Sequence, residues 1–284
     1  MKLNQPIFYA ILLCLSCSWP MQAQSLADTI PLQLVDQAKY RVYYALSFVK
    51  DSTLVEDRTN GQTLLLIGKS KSQFIDYNSF RKDSIYNAEI KKGSANPTAL
   101  LGQVLALGRQ IQFKPILIKN FPQKGEYTFQ EMLTSRGNYR YTDKDVHLDW
   151  KLHSDTKEIQ SYLCKKATCS YRGRNYTAWY SPDIPLSEGP YVFGALPGLI
   201  LELYDEQDHF HFSLNGLQES TTYDPIYLPK QNIVKSSRNK VRKIRANFKS
   251  NPASMLQTMG GEIKVSSEVM QKLQPKPYNP IELE

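Results

Sequence analysis

The sequence predicts a β-rich α+β fold, an antiparallel curved sheet or half-open barrel with a few short helices. Three observations carry this. Short runs along most of the chain alternate apolar and polar residues, the period of a half-buried strand. Between residues 156 and 217 such runs follow one another without regular helices, which argues for a meander rather than a doubly wound sheet. With 41% hydrophobic residues, 18 Tyr, 11 Phe and 3 Trp, the chain can fill a core, which excludes wholesale disorder.

Residues 1–23 read as a signal peptide: Lys2 is the positive start, Ile7 to Leu15 is unbroken and apolar, and Pro20 precedes a loose small-residue site. That run rises about 14 Å as a helix, too short for a bilayer. An uncleaved anchor and a lipoprotein cleaved before Cys17 are the rival readings. Residues 25–284 are expected to form a single domain. Export would place the chain in the periplasm, at the outer membrane or outside the cell, where Cys164 and Cys169 meet oxidising conditions. On one straight strand they would stand about 16 Å apart on opposite faces. A disulfide needs roughly 4.4–6.8 Å, so both are expected to be free unless a bulge intervenes.

Tyr40, Val42, Tyr44, Leu46 and Phe48 define a first strand. Asn60-Gly61 predicts a tight turn into a return strand, Thr63 to Ile67, and Ser72 to Tyr77 predicts a third strand. Asn78 to Ile90 predicts a short helix capped by Asn78 or Ser79. Leu100, Leu101, Val104, Leu105 and Leu107 favour a helix or lid within residues 93–108. Extended runs follow at residues 111–119, 126–133, 138–142 and 146–152. Glu158 to Ser170 reads as one strand, with Arg172-Gly173-Arg174 as the turn into Asn175 to Tyr180. Ser181 to Pro185 must be extended or turned, because proline disfavours helix in the residue before it. Leu199 to Tyr204 and His209 to Leu214 then alternate as further strands.

Residues 156–205 resemble the signature of the GLPGLI family, exported proteins of Bacteroidota-type bacteria known by that motif and without an assigned function. The likeness rests on Lys166-Ala167, Gly173-Arg174, Ala178-Trp179-Tyr180, Ile184-Pro185, Gly189-Pro190 and Leu196-Pro197-Gly198-Leu199-Ile200, in that order. Trp150 and the terminal Tyr278-Asn279-Pro280-Ile281-Glu282-Leu283 extend it over most of the chain. Ala195 stands where the motif begins with glycine, so the sequence makes no demand for a left-handed backbone there. The resemblance implies no catalytic residues. By fold-level analogy, the order of elements is also similar to exported lipoprotein-carrier-like proteins, whose curved sheet holds acyl chains.

Several constellations could carry chemistry. His209 and His211 alternate with Phe210 and Phe212, so both imidazoles could approach one ion. Simple burial of the phenylalanines explains the same pattern, and neither metal nor cofactor is expected. Asp183, Glu188, Glu202 and Asp205 flank the Leu-Pro-Gly loop and could pair for acid–base work, against ordinary turn and surface roles. Gly194 to Gly198 lacks the lysine and following helix of a phosphate loop. It reads either as a turn or, with Tyr191, Phe193 and Leu196 exposed, as a sticky ligand-facing rim. Trp179, Tyr191, Phe193, Leu196, Pro197, Gly198, Leu199 and Leu201 are thus the candidate ligand or partner surface, as core or as pocket wall. Lys235, Arg238, Lys240, Arg242, Lys243, Arg245 and Lys249 form a basic run free of acids, a candidate contact for anionic lipid. The formal charge of +8 with 22% charged residues is mild and gives no pointer to nucleic acid.

Together these readings predict an exported non-enzymatic binding or carrier module of the cell envelope, for an apolar or lipid-like ligand or an envelope protein. A periplasmic hydrolase using the loop carboxylates is the competing reading, and a structural accessory of an outer-membrane complex is a third.

Overall fold

A computed structural model describes residues 29–93, 97–134, 137–252, 275 and 277–284. The expected leader, with Cys14 and Cys17, lies outside the described residues. In chain order the first half carries β1 (Leu32–Val49), β2 (Arg58–Gly68), β3 (Ser72–Asp76), α1 (Tyr77–Lys92), α2 (Pro97–Gln110), β4 (Ile116–Lys119), β5 (Tyr127–Thr134) and β6 (Gly137–Asp143). The second half carries β7 (Lys151–Ile159), β8 (Tyr162–Tyr171), β9 (Arg174–Ser181), β10 (Leu199–Asp205), β11 (Phe210–Pro229), β12 (Ile233–Lys235) and α3 (Arg238–Ser250).

All twelve strands join one sheet in the order β12-β6-β5-β4-β3-β2-β1-β11-β10-β9-β8-β7. Each half is a meander, and the long β1 and β11 join them antiparallel, from Leu32 opposite Pro229 to Phe48 opposite Phe210. The short β12 returns parallel to β6. Among the described residues the edge strands β12 and β7 do not pair, so the sheet stays open.

Alternation decides which side chains meet. Val42, Tyr44 and Leu46 of β1 turn to one face with Leu65, Phe74, Leu117 and Phe129, the floor of the main core. Leu64, Leu66, Ile75 and Ile118 turn to the other face, where Tyr77 and Phe80 of α1 pack over them. The main core is completed by the segment between β9 and β10, which contributes Tyr191, Val192, Phe193 and Leu196, and by Val241 of α3.

Four local expectations are corrected. Asn60-Gly61 lies inside β2, opposite Ser47 and Leu46. The turn comes earlier, where the Asp51 side chain accepts from the Thr53 amide and hydroxyl and so closes the chain without glycine. The cap of α1 is Asp76, whose carboxylate accepts from the Asn78 amide at 2.8 Å and from the amides of Gln112 and Phe113. It thereby fixes the helix start and the return from α2 together. Residues 158–170 are two strands, because Gln160 and Ser161 (φ 50° and 66°) make a left-handed turn between β7 and β8. Finally, the extended runs at 111–119 and 146–152 are strands only at Ile116–Lys119 and from Lys151 on. Before Lys151, Val146, Leu148 and Trp150 pack as coil against the core.

Candidate functional site

The candidate surface centres on the proline-stiffened segment from Pro182 to Gly198, whose large apolar side chains lie inside. Tyr191, Phe193, Leu196, Leu199 and Leu201 are buried, and Trp179 is 9% exposed. The rim of exposed Tyr191, Phe193 and Leu196 therefore does not exist in this structure. These rings fill the curved sheet, Phe193 lying 4.5 Å from Tyr176 and 5.7 Å from Tyr171 between ring centroids. Of the eight residues of the candidate surface, only Pro197 is exposed.

The segment is held by a group that sequence reasoning missed. Lys119, the last residue of β4, is buried, and its ammonium donates to Glu188 Oε2 at 2.9 Å, Gly189 O at 2.9 Å and Phe193 O at 2.5 Å. Burial pushes its pKa down, while Glu188 opposes that shift. Ser72 Oγ donates to the other Glu188 oxygen, Trp150 Nε1 donates to Gly194 O, and Tyr44 Oη donates to Ile200 O. Three backbone positions take left-handed or glycine-only conformations, the first being buried Tyr191 at φ 53°. Ala195 adopts φ 62° after all, with its side chain in solvent, at a cost of about 1–2 kcal/mol. Gly198 has φ 148°, and a Cβ there would stand 2.1 Å from the Ser181 carbonyl oxygen, so only glycine fits.

Gly173-Arg174 clamps the carboxyl-terminal residues. Arg174 is buried; its guanidinium donates to Asp205 Oδ2 at 2.7 Å, to Asn279 Oδ1 at 2.5 Å and to Pro280 O. Asn279 in turn donates to Val49 O. Glu282 is buried where it accepts from Tyr191 Oη at 2.6 Å, from Tyr171 Oη and from Arg238. Of the other resemblance positions, Ala167, Gly189 and Pro190 are buried, Pro185 is exposed, and Lys166 lies 3.9 Å from Asp155.

The four carboxylates around the loop do not converge. Glu188 belongs to Lys119 and Asp205 to Arg174, while Asp183 is exposed and Glu202 faces the other side of the sheet. There β7, β9, β10 and β11 assemble a polar cluster. Glu202 accepts from Lys157 and pairs with His211 Nε2 at 3.2 Å, and His211 Nδ1 lies 2.8 Å from Asp208. Lys157 sits 4.5 Å from the Trp179 ring, and Tyr204 packs against His211 at 5.1 Å. The Glu202 hydrogen bond holds the imidazole above its usual pKa, and His211, then Lys157, hold the Glu202 carboxyl below its own. Each shift favours the charged form of its group. His209 turns away, 3.4 Å from Arg174 Nη1, so the two histidines do not share a site. Among the described residues no group of three or more His, Cys, Asp or Glu is placed to hold a metal.

Next to this cluster a groove of about 330 Å³ opens on the same face, with Ala45, Ser47, Asn60, Ser213, His211 and the Arg58–Asp208 ion pair around it. Its floor is made of small side chains on β1, β2 and β11. Arg58 donates to Ser47 Oγ, Ser47 O and Asp208 O.

Cys164 and Cys169 are both free and buried. Burial pushes the Cys164 thiol up to about 11, opposed by Lys157, and the Cys169 thiol up to about 12, with Asp149 adding to the rise. In the basic run, Arg238 holds Glu282, Arg242 donates to Leu283 O at 2.6 Å and Arg245 pairs with Glu131, leaving Lys235, Lys240 and Lys243 exposed.

A family model described as a protein of unknown function (Porph_ging) matches residues 171–202, from the β8–β9 turn through the pinned segment to Glu202. No curated protein matches the sequence. Among solved structures, PNGF-II in the P21 and C2 space groups is similar at 15% identity, with TM-scores of 0.47 and 0.48. The match covers 74% and 73% of this chain but 33% and 32% of those chains, so this chain spans about a third of their length.

Proposed function

We propose that the protein is an exported, non-enzymatic binding module of the cell envelope, of the GLPGLI type, and that its ligand is polar. One observation carries this reading: the loop's apolar side chains and carboxylates are engaged internally, while a polar groove opens on the opposite face. Tyr191, Phe193 and Leu196 fill the core, and Glu188 and Asp205 are each neutralised by a buried cation. An acyl-chain carrier of the kind the sequence suggested would keep an apolar cavity among the loop's own side chains, and a hydrolase would keep a carboxyl with a raised pKa in a cleft. Asp208, the carboxylate that lines the open groove, is instead paired with Arg58, and Glu202 of the adjoining cluster is held below its usual pKa by His211 and Lys157. The groove itself offers Asn60 and Ser213 beside the Arg58–Asp208 pair, whose opposite charges cancel, which suits a neutral polar ligand.

Native mass spectrometry of the protein purified from its own envelope tests this. A co-purifying polar ligand that is lost in Ser213→Trp, a side chain that would fill the groove, supports the reading. Turnover of a peptide, ester or glycan panel abolished by Glu202→Gln would overturn it in favour of an enzyme.

A further inference from the structure

We propose that α2 is the element through which this protein rests on an anionic lipid surface. Its buried stripe, Leu100 and Leu107 with half-buried Val104, lies toward α1. Leu101 and Leu105, one turn apart, fall outside that stripe and are 48% and 52% exposed. The helix contains no acidic residue, and Gly102, Ala106 and Gly108 beside the leucines are small enough for the helix to lie close to a surface. Exposed apolar residues one turn apart on a helix with few acids are what an interfacial helix presents to the headgroup–acyl boundary.

Charge selects the occupant. Asn78 Nδ2 reaches Gln110 O, tying the start of α1 to the end of α2, so the two helices form an antiparallel hairpin. Lys91 and Lys92 at the end of α1 therefore lie by the start of α2, and Arg109 and the exposed Lys114 lie at its other end. Glu89 offsets only Lys92, at 2.8 Å. The leucines are thus rimmed by cations, which an anionic bilayer attracts. A second copy of the same ridge would bring a like-charged rim against this one, which disfavours self-pairing. The basic run of α3 is the weaker candidate, because Arg238, Arg242 and Arg245 are already held within the chain.

Co-sedimentation of the full chain with vesicles containing roughly one-third phosphatidylglycerol, against pure phosphatidylcholine, tests the proposal. Binding should be tenfold or more stronger to the anionic vesicles and should fall steeply with added salt. Leu101→Ser/Leu105→Ser should weaken it about tenfold or more at an unchanged unfolding temperature, since both side chains are exposed. Lys91→Glu/Arg109→Glu should weaken it independently, and Lys240→Glu/Lys243→Glu on α3 should leave it intact. Equal binding to both vesicles, or loss only in the α3 variant, would overturn the proposal. So would a chain that ignores vesicles but passes from dimer to monomer in the leucine variant, which would give the ridge to a second copy.

Discussion

Lys119→Met keeps the length of the side chain and removes only the ammonium that gathers Glu188, Gly189 O and Phe193 O. Removing one partner of a buried ion pair costs about 3–5 kcal/mol, because the other charge and its acceptors are left unpaired. Glu188 is 19% exposed and keeps its bond from Ser72, so part of its charge can turn to water and the lower end applies. Methionine also relieves the burial of the lysine charge, which leaves a net loss of about 2–3 kcal/mol. For a domain of this size that lowers the midpoint by roughly 4–12 °C. Urea unfolding followed through Trp150 and Trp179 measures it directly. The double variant Lys119→Met/Glu188→Gln should recover about 1 kcal/mol or more, since it removes the stranded carboxylate. A single-variant loss below about 0.5 kcal/mol, or a strictly additive double variant, would refute the claim that this pair pins the segment.

Four further outcomes are expected. Gly198→Ala should lose about 3 kcal/mol or more, because its Cβ meets backbone that cannot move aside, whereas Ala195→Gly should stabilise slightly by relieving the left-handed alanine; chemical denaturation of both tests this. Trp179→Ala should cost about 2–4 kcal/mol in the same assay, since its ring lies under Lys157 and packs in the core, and a near-neutral result would put it on a pocket wall. Alkylating reagent at neutral pH should leave Cys164 and Cys169 untouched in the folded protein and label both after denaturation without reductant; no labelling then would mean a bridge. The His211–Glu202 pair should contribute fully only between the ordinary carboxyl value of 4.5 and the ordinary imidazole value of 6.5. Its raised imidazole loses that contribution as pH rises through the folded value, and its lowered carboxyl loses it as pH falls through its own. His211→Gln should therefore flatten the decline in stability above pH 6.5, by no more than about 1 kcal/mol.

The strands were legible wherever alternation ran long enough, as in Val42-Tyr43-Tyr44-Ala45-Leu46, because period-two burial is written into single residues. Asn60-Gly61 misled because a turn dipeptide can also continue a strand when its partner, here Ser47 and Leu46 of β1, is long. Asp76 was hidden as a cap because it is also the last residue of a strand. The apolar density between Trp179 and Leu201 was visible, but not its direction: a proline-stiffened coil has the same sequence whether it lines a surface or fills a core. What turns it inward is Lys119, 69 positions from Glu188, and Glu282, 91 positions from Tyr191. Contacts at that separation leave no local period. The polar face was legible only in pieces, since Lys157, Trp179, Glu202 and His211 sit on four strands that meet only through the register of the sheet.

The large apolar side chains of the segment from Pro182 to Gly198 are interior structure rather than a ligand-facing rim, and native-state hydrogen exchange tests this residue by residue. The amides of Phe193, Ala195, Leu199 and Ile200 donate to Pro190, Ser187, Ile184 and Glu188 carbonyls, so they open only when the core does. Their protection should match that of Tyr44 and Phe212 in the central strands and fall with theirs in Lys119→Met. Exchange of those four amides as fast as in the exposed turn at residues 51–57, with the central strands still protected, would contradict the account.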